Sequence, residues 1–112
     1  SELRIEGHTD STVRSWDTPY SGYIYNTRLS QDRSRNVLSY ALGMPVILTN
    51  EHFLNWSFSN LTAHGMSSSD LIMFENQEVY DKSRRVEFRI KTQAEAKLLN
   101  LVTELKRNET TR

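Results

Sequence analysis

Cysteine is absent from the 112 residues, glycine occurs four times, proline twice, and neither sign of charge prevails. Without cysteine there is no disulfide framework and no thiolate metal site, although the compartment stays undecided. Lysine plus arginine and aspartate plus glutamate both number 14. The basic excess of a nucleic-acid binder is missing, so nucleic acid is not an expected partner. No apolar run is long enough to cross a bilayer, and no charged-then-apolar leader opens the chain. If the protein works at the cell envelope, its anchor and export signal are expected outside this stretch.

Catalytic and metal signatures are also missing. The chain has no GxSxG and no SxxK to activate a serine. Glu6 and Asp10 share a strand face but stand four residues apart, about 13 Å, too far for an acid–base pair. The chain is therefore not expected to be an enzyme. His8, His52 and His64 follow no zinc spacing, so neither metal nor cofactor is expected.

What is present is a single domain's worth of patterned sequence. Leu3 and Ile5 alternate with Arg4 and Glu6, and Leu61 to Gly65 is a second short strand. From Arg84 to Thr92, Val86, Phe88 and Ile90 alternate with Arg85, Glu87, Arg89 and Lys91, the strongest strand pattern in the chain. The periodicity predicts strands near 3–7, 61–65 and 84–92 and helices near 27–42, 50–56 and 94–106. Val37, Leu38, Ala41 and Leu42 form the stripe of the first helix, which Asn26 or Ser30 would cap and Gly43 and Pro45 would stop. Phe53, Leu54 and Trp56 of the second are expected in the core. Leu98, Leu101, Val102 and Leu105 stripe the third. Ser11 to Gly22 reads as a loop pinned by Trp16; the alternative is a lid whose aromatics stack on glycan. Leu71 to Tyr80 reads as irregular.

Two segments carry candidate chemistry. Ile5-Glu6-Gly7-His8-Thr9-Asp10 reads as a strand that breaks at glycine and leaves a carboxylate at its mouth. In Tyr25 to Arg33, the residues Asn26, Leu29, Ser30 and Arg33 fall three, four and seven apart and share a helical face. A carboxylate and a guanidinium on facing elements can grip a zwitterionic side chain, the fork of the arginine matching a carboxylate. Alternatively, Asp10 and Arg33 simply pair with each other.

The string GHTD, followed by NxxLSxxR and then SRRVEFRI, resembles the peptidoglycan-binding domain shared by outer membrane protein A and flagellar stator proteins. The resemblance runs from about Leu3 to Ile90. It implies an α/β (α+β) sandwich, OmpA-like, in which a small mixed sheet packs against helices. Residues 1–92 would form this domain, and residues 93–112 a C-terminal amphipathic helix and tail. The domain's first strand and helix are not found in the stretch, so it is read as N-terminally incomplete and poorly stable alone. The family's aspartate and asparagine are joined by a short glycine-bearing loop, whereas Ser11 to Tyr25 intervene here.

By that resemblance, Asp10 and Arg33 hold the diaminopimelate of the peptidoglycan stem peptide, and Asn26 orders the loop or the ligand. Leu29 shapes the pocket wall, and Thr9, Tyr25 and Arg84 are counted with them as ligand-binding residues; strand alternation also makes Arg84 a structural ion-pair partner beside the site. The start of the helix would add partial positive charge near the ligand carboxylate. The tyrosine-led helix start, the insertion and the serine run Ser67-Ser68-Ser69 look most like the stator-type subunit of the Zorya anti-phage defence system. This implies a periplasmic domain of an inner-membrane protein (alternatively an outer-membrane one), a membrane anchor and ion-channel partner reached through the N-terminal part, and a homodimer. The rival reading keeps the OmpA-like fold as a protein–protein interaction or dimerisation domain without wall binding.

Overall fold

Strand β1 (Glu2–His8) is the middle strand of the main sheet, flanked by two strands and covered by a long helix. The computed structural model describes residues 2–92 together with 104 and 105. In chain order the other elements are α1 (Pro19–Leu42), α2 (Pro45–Leu48), α3 (Glu51–Asn60), β2 (Leu61–Gly65), β3 (Met73–Phe74), β4 (Gln77–Glu78), α4 (Tyr80–Ser83) and β5 (Arg85–Lys91). β2 runs parallel to β1, with Ile5 opposite Ala63, and β5 runs antiparallel on the other side, with Ile5 opposite Phe88. The sheet is mixed, as expected, and the three strands match the periodicity to within a residue or two.

Helix α1 lies directly on this sheet because two glycines allow it. A Cβ on Gly7 would stand 2.2 Å from the carbonyl oxygen of Ser30, and one on Gly65 would stand 2.7 Å from the backbone nitrogen of Gln31. Ile5 is the one apolar side chain fully buried among the described residues. The residues of α1 that are buried are small or polar, Gly22, Asn26, Ser30 and Ser34.

Four expectations are corrected. First, α1 begins at Pro19, eight residues before position 27, and Thr18 caps it, not Asn26 or Ser30. The Thr18 hydroxyl accepts from the Ser21 N–H and the Ser21 hydroxyl accepts from the Thr18 N–H, while Pro19 supplies a preset φ where no N–H is needed. Second, Trp16 does not pin the loop: it is 74% exposed. Third, Phe53 and Trp56 are not core but close to half exposed, and α3 meets mainly α2. Fourth, the segment read as irregular holds a two-residue hairpin, β3–β4, whose turn residues Glu75 and Asn76 both have positive φ. That backbone matches the twist of paired strands, and asparagine tolerates it.

Strand β5 forms where the alternation placed it, but its burial does not alternate: Phe88 and Ile90 are 60% and 63% exposed. On β1 the expected half-burial fails in the other direction, since Glu6 and His8 are as buried as Ile5. The helix expected at 94–106 lies, apart from Glu104 and Leu105, outside the described residues. No helix among those described is long and apolar enough to cross a membrane.

Candidate functional site

The parallel strands β1 and β2 end side by side at His8 and Gly65. Ligand sites in open α/β sheets gather at such carboxyl ends, and the loops that follow supply the candidate residues. Thr9 is buried there. Its N–H donates to the carbonyl of Ser67 and its hydroxyl to the carbonyl of Asp10, so it braces the turn and offers little to a ligand. Ser67 takes a positive φ and is itself held by three bonds. Its N–H donates to the Ser30 hydroxyl, its hydroxyl to the Tyr23 carbonyl, and its carbonyl accepts from Thr9.

Asp10 is 7% exposed. One carboxylate oxygen accepts from the Thr12 N–H at 2.8 Å and the other from Arg84 Nη1 at 2.5 Å. Burial pushes this carboxyl up, but the Arg84 hydrogen bond and those from Thr12 outweigh it and hold the pKa below the ordinary aspartate value. Arg84 reaches Asp10 across 74 positions of sequence because β5 pairs antiparallel with β1 and sets Arg85 opposite His8. The ion-pair role expected of Arg84 is thus present in the structure.

Arg33 projects from the same face of α1 as Asn26 and Ser30 and is half-buried. Its Nη1 donates to the carbonyl of His8 at 3.4 Å, two residues before Asp10. Among the described residues no carboxylate lies within ion-pairing distance of Arg33, so Asp10 and Arg33 do not pair with each other. The expected help from the helix start is not found at this residue. Arg33 stands fourteen positions past Pro19, about 21 Å along the axis, whereas the end effect fades within a turn.

Asn26 is buried and its amide donates to the Thr12 carbonyl at 3.2 Å, which ties the inserted loop to α1. It also lines a cavity of 450 Å³ with Val13, Asp17 and Tyr23. Val13 fills the space over Gly22, where a Cβ would come within 2.3 Å of its Cγ1. Replacing Asn26 by alanine is expected to remove about 1 kcal/mol of stability; urea denaturation checks this, and an unchanged midpoint would show that the bond does not hold the loop.

Tyr25 and Leu29 line a different hollow, of 370 Å³, with Arg14, Ser21, Ile24, Arg28 and Asp32. The Arg14 guanidinium stacks 3.8 Å from the centre of the Tyr25 ring and 5.1 Å from that of Trp16. It also bonds Asp17 through Nε and Nη2. The structure therefore gathers Asp10, Arg84, Thr9 and the tip of Arg33 at the strand ends, and places Tyr25 and Leu29 in this neighbouring hollow. Arg14 and Asp17 were not singled out from sequence, and Ser67 entered there only as part of a serine run. The Thr18-Pro19-Tyr20-Ser21 cap was legible there and would have moved the helix start.

The Arg14 hydrogen bond, joined by that of Ser21 and opposed by burial, holds the Asp17 carboxyl below its usual 3.8. A depressed folded pKa means that this contribution to the loop is complete above about pH 3.8 and is lost as pH falls through the lower folded value. In an acid titration, Trp16 fluorescence should report loop release in that range, and Arg14→Ala should shift the transition upward. Superimposable transitions in the two proteins would refute the Arg14–Asp17 clasp.

A mixed three-stranded sheet packed with helices makes this an α+β domain, an architecture consistent with the OmpA-like fold. No family model and no solved structure matches the chain. Among curated proteins, the chain is related to Zorya protein ZorB of Escherichia coli (strain Crooks), with 35% identity over 105 residues. The match takes in 93% of this chain and 43% of ZorB, so the chain spans less than half the length of that relative. The resemblance read from the motifs to a Zorya subunit holds.

Proposed function

We propose that this chain is the wall-binding part of a Zorya stator-type, MotB-like subunit, and that it grips the diaminopimelate side chain of peptidoglycan stem peptides in anti-phage defence. Similarity to ZorB supports the Zorya setting. The observation that supports the grip is the state of Arg33: a half-buried guanidinium that meets one backbone carbonyl and no described carboxylate. Its remaining donors suit a ligand carboxylate in the bidentate manner. Asp10 accepts from Thr12 and from Arg84, and a carboxylate's roughly four lone-pair sites leave room beside them for a ligand ammonium. Binding is non-covalent and the domain is not an enzyme. It acts in the periplasm and anchors an inner-membrane complex that includes an ion-channel partner and a second copy of the chain.

One observation favours the rival reading of an interaction domain that does not bind the wall: Arg84 already satisfies the charge of Asp10. Co-sedimentation with purified sacculi separates the two. Wall binding predicts that the protein pellets with sacculi and is released by free diaminopimelate-containing peptide. Protein that stays in the supernatant at saturating sacculi refutes it.

A further inference from the structure

We propose that Glu6, His8 and Glu87 form a binding site for a first-row divalent cation, with zinc the best fit, on the sheet face away from α1. Register sets Glu6 directly opposite Glu87 on neighbouring strands. Two carboxylates so placed repel, and a cation between or beside them relieves the repulsion. His8 lies two residues from Glu6 on the same face, and the candidate donor atoms of all three residues lie within 4.8 Å of one another.

The buried members of this set are short of partners. Glu6 is 2% exposed and His8 fully buried, yet Glu6 Oε1 and both ring nitrogens of His8 have no hydrogen-bond partner among the described residues. Buried polar atoms left in that condition are costly. His8 Nε2 stands 3.4 Å from Glu6 Oε1 and 3.9 Å from Glu87 Oε2. Tetrahedral ligands at zinc distances are separated by about 3.3 Å, so the first pair is already set and the second needs only a small swing of Glu87 at the rim. Carboxylate and imidazole together form a zinc donor set.

Arg85 bonds Glu87 Oε1 and also meets Asp70, and Arg89 Nε lies 3.6 Å from Glu6 Oε1. Two guanidinia thus meet the two carboxylates from the side, Arg85 on Glu87 Oε1 and Arg89 on Glu6 at a longer 3.6 Å, and neither reaches the ring nitrogens of His8. Arg85 occupies the other oxygen of Glu87 and so aims Oε2 at His8, as outer partners of metal ligands do. The histidine spacings alone could not show this site, because its third donor arrives from a strand nearly eighty positions away. A cation here would brace the end of β1, whose His8 carbonyl receives Arg33.

Titration of the chelator-stripped chain with zinc chloride, followed by calorimetry and by thermal melting, tests the proposal. One zinc per chain and a raised melting temperature are expected. Glu87→Gln, at the half-buried rim, keeps the volume of the side chain and should weaken binding at least about ten-fold, and Arg85→Ala by a similar factor. His8→Gln should abolish binding. His64→Ala, on the neighbouring strand β2, should leave it unchanged. No saturable binding, or binding that survives Glu87→Gln or depends on His64, overturns the proposal.

Discussion

Gly7→Ala is expected to leave no stably folded domain. The added methyl would sit 2.2 Å from the Ser30 carbonyl oxygen, a backbone atom that cannot rotate away. Relief requires α1 to lift off β1 along its contact with the sheet. Overpacking against side chains usually costs 1–3 kcal/mol, and a clash with backbone falls at or beyond the upper end, about 3 kcal/mol or more. The fold has little margin to absorb this, with Ile5 its one fully buried apolar side chain among the described residues. Circular dichroism and amide dispersion in nitrogen–proton spectra provide the check. A variant that melts like the parent would mean that the close seating of α1 is not what holds the domain. Any partly folded Gly7→Ala protein should also lose wall binding, because lifting α1 carries Arg33 away from the His8 carbonyl.

Arg33→Ala should lower affinity for a soluble diaminopimelate-containing muropeptide about ten- to a hundred-fold. The change removes two charge-assisted hydrogen bonds to the ligand carboxylate, roughly 1.5–3 kcal/mol in a half-buried site. Arg33→Lys should recover little, since an ammonium cannot reproduce the planar fork. Folding should survive, because the one bond that Arg33 makes, to the His8 carbonyl, is long at 3.4 Å. Asp10→Asn should weaken binding as well, but for two reasons at once: it removes the acceptor of the ligand ammonium and unpairs Arg84. Titration of the three variants against the parent decides the matter, with Arg84→Ala as the companion that separates the two effects at Asp10. Equal affinity in Arg33→Ala and the parent would sink the grip, whatever the standing of the fold.

The polar sheet face and the strand-end site meet at one residue. His8 offers its side chain to the Glu6 and Glu87 carboxylates and its carbonyl to Arg33. The backbone after it turns through Thr9 into Asp10, held by the Ser67 carbonyl. Changes that loosen His8 are therefore expected to reach the candidate residues Asp10 and Arg33 through two peptide units at most, with no need for a longer path.

Local sequence determined the elements whose causes are local. The alternation of Leu3 and Ile5 with Arg4 and Glu6, and of Val86, Phe88 and Ile90 with their charged neighbours, set the strands, because a strand's period is visible in any short window. The glycine of GHTD and the shared face of Asn26, Ser30 and Arg33 were legible for the same reason, and so was the resemblance they carry. Other features depend on which strands lie side by side. Arg84 meets Asp10, and Glu87 meets Glu6 and His8, only through the antiparallel register of β1 and β5. The exposure of Phe53 and Trp56, which their chemistry argued against, follows from where α3 lies relative to the sheet, and no window of sequence contains that distance. Composition and periodicity specify which face of an element is apolar; packing alone decides what stands against that face, and hence whether a carboxylate finds a guanidinium, another carboxylate or a ligand.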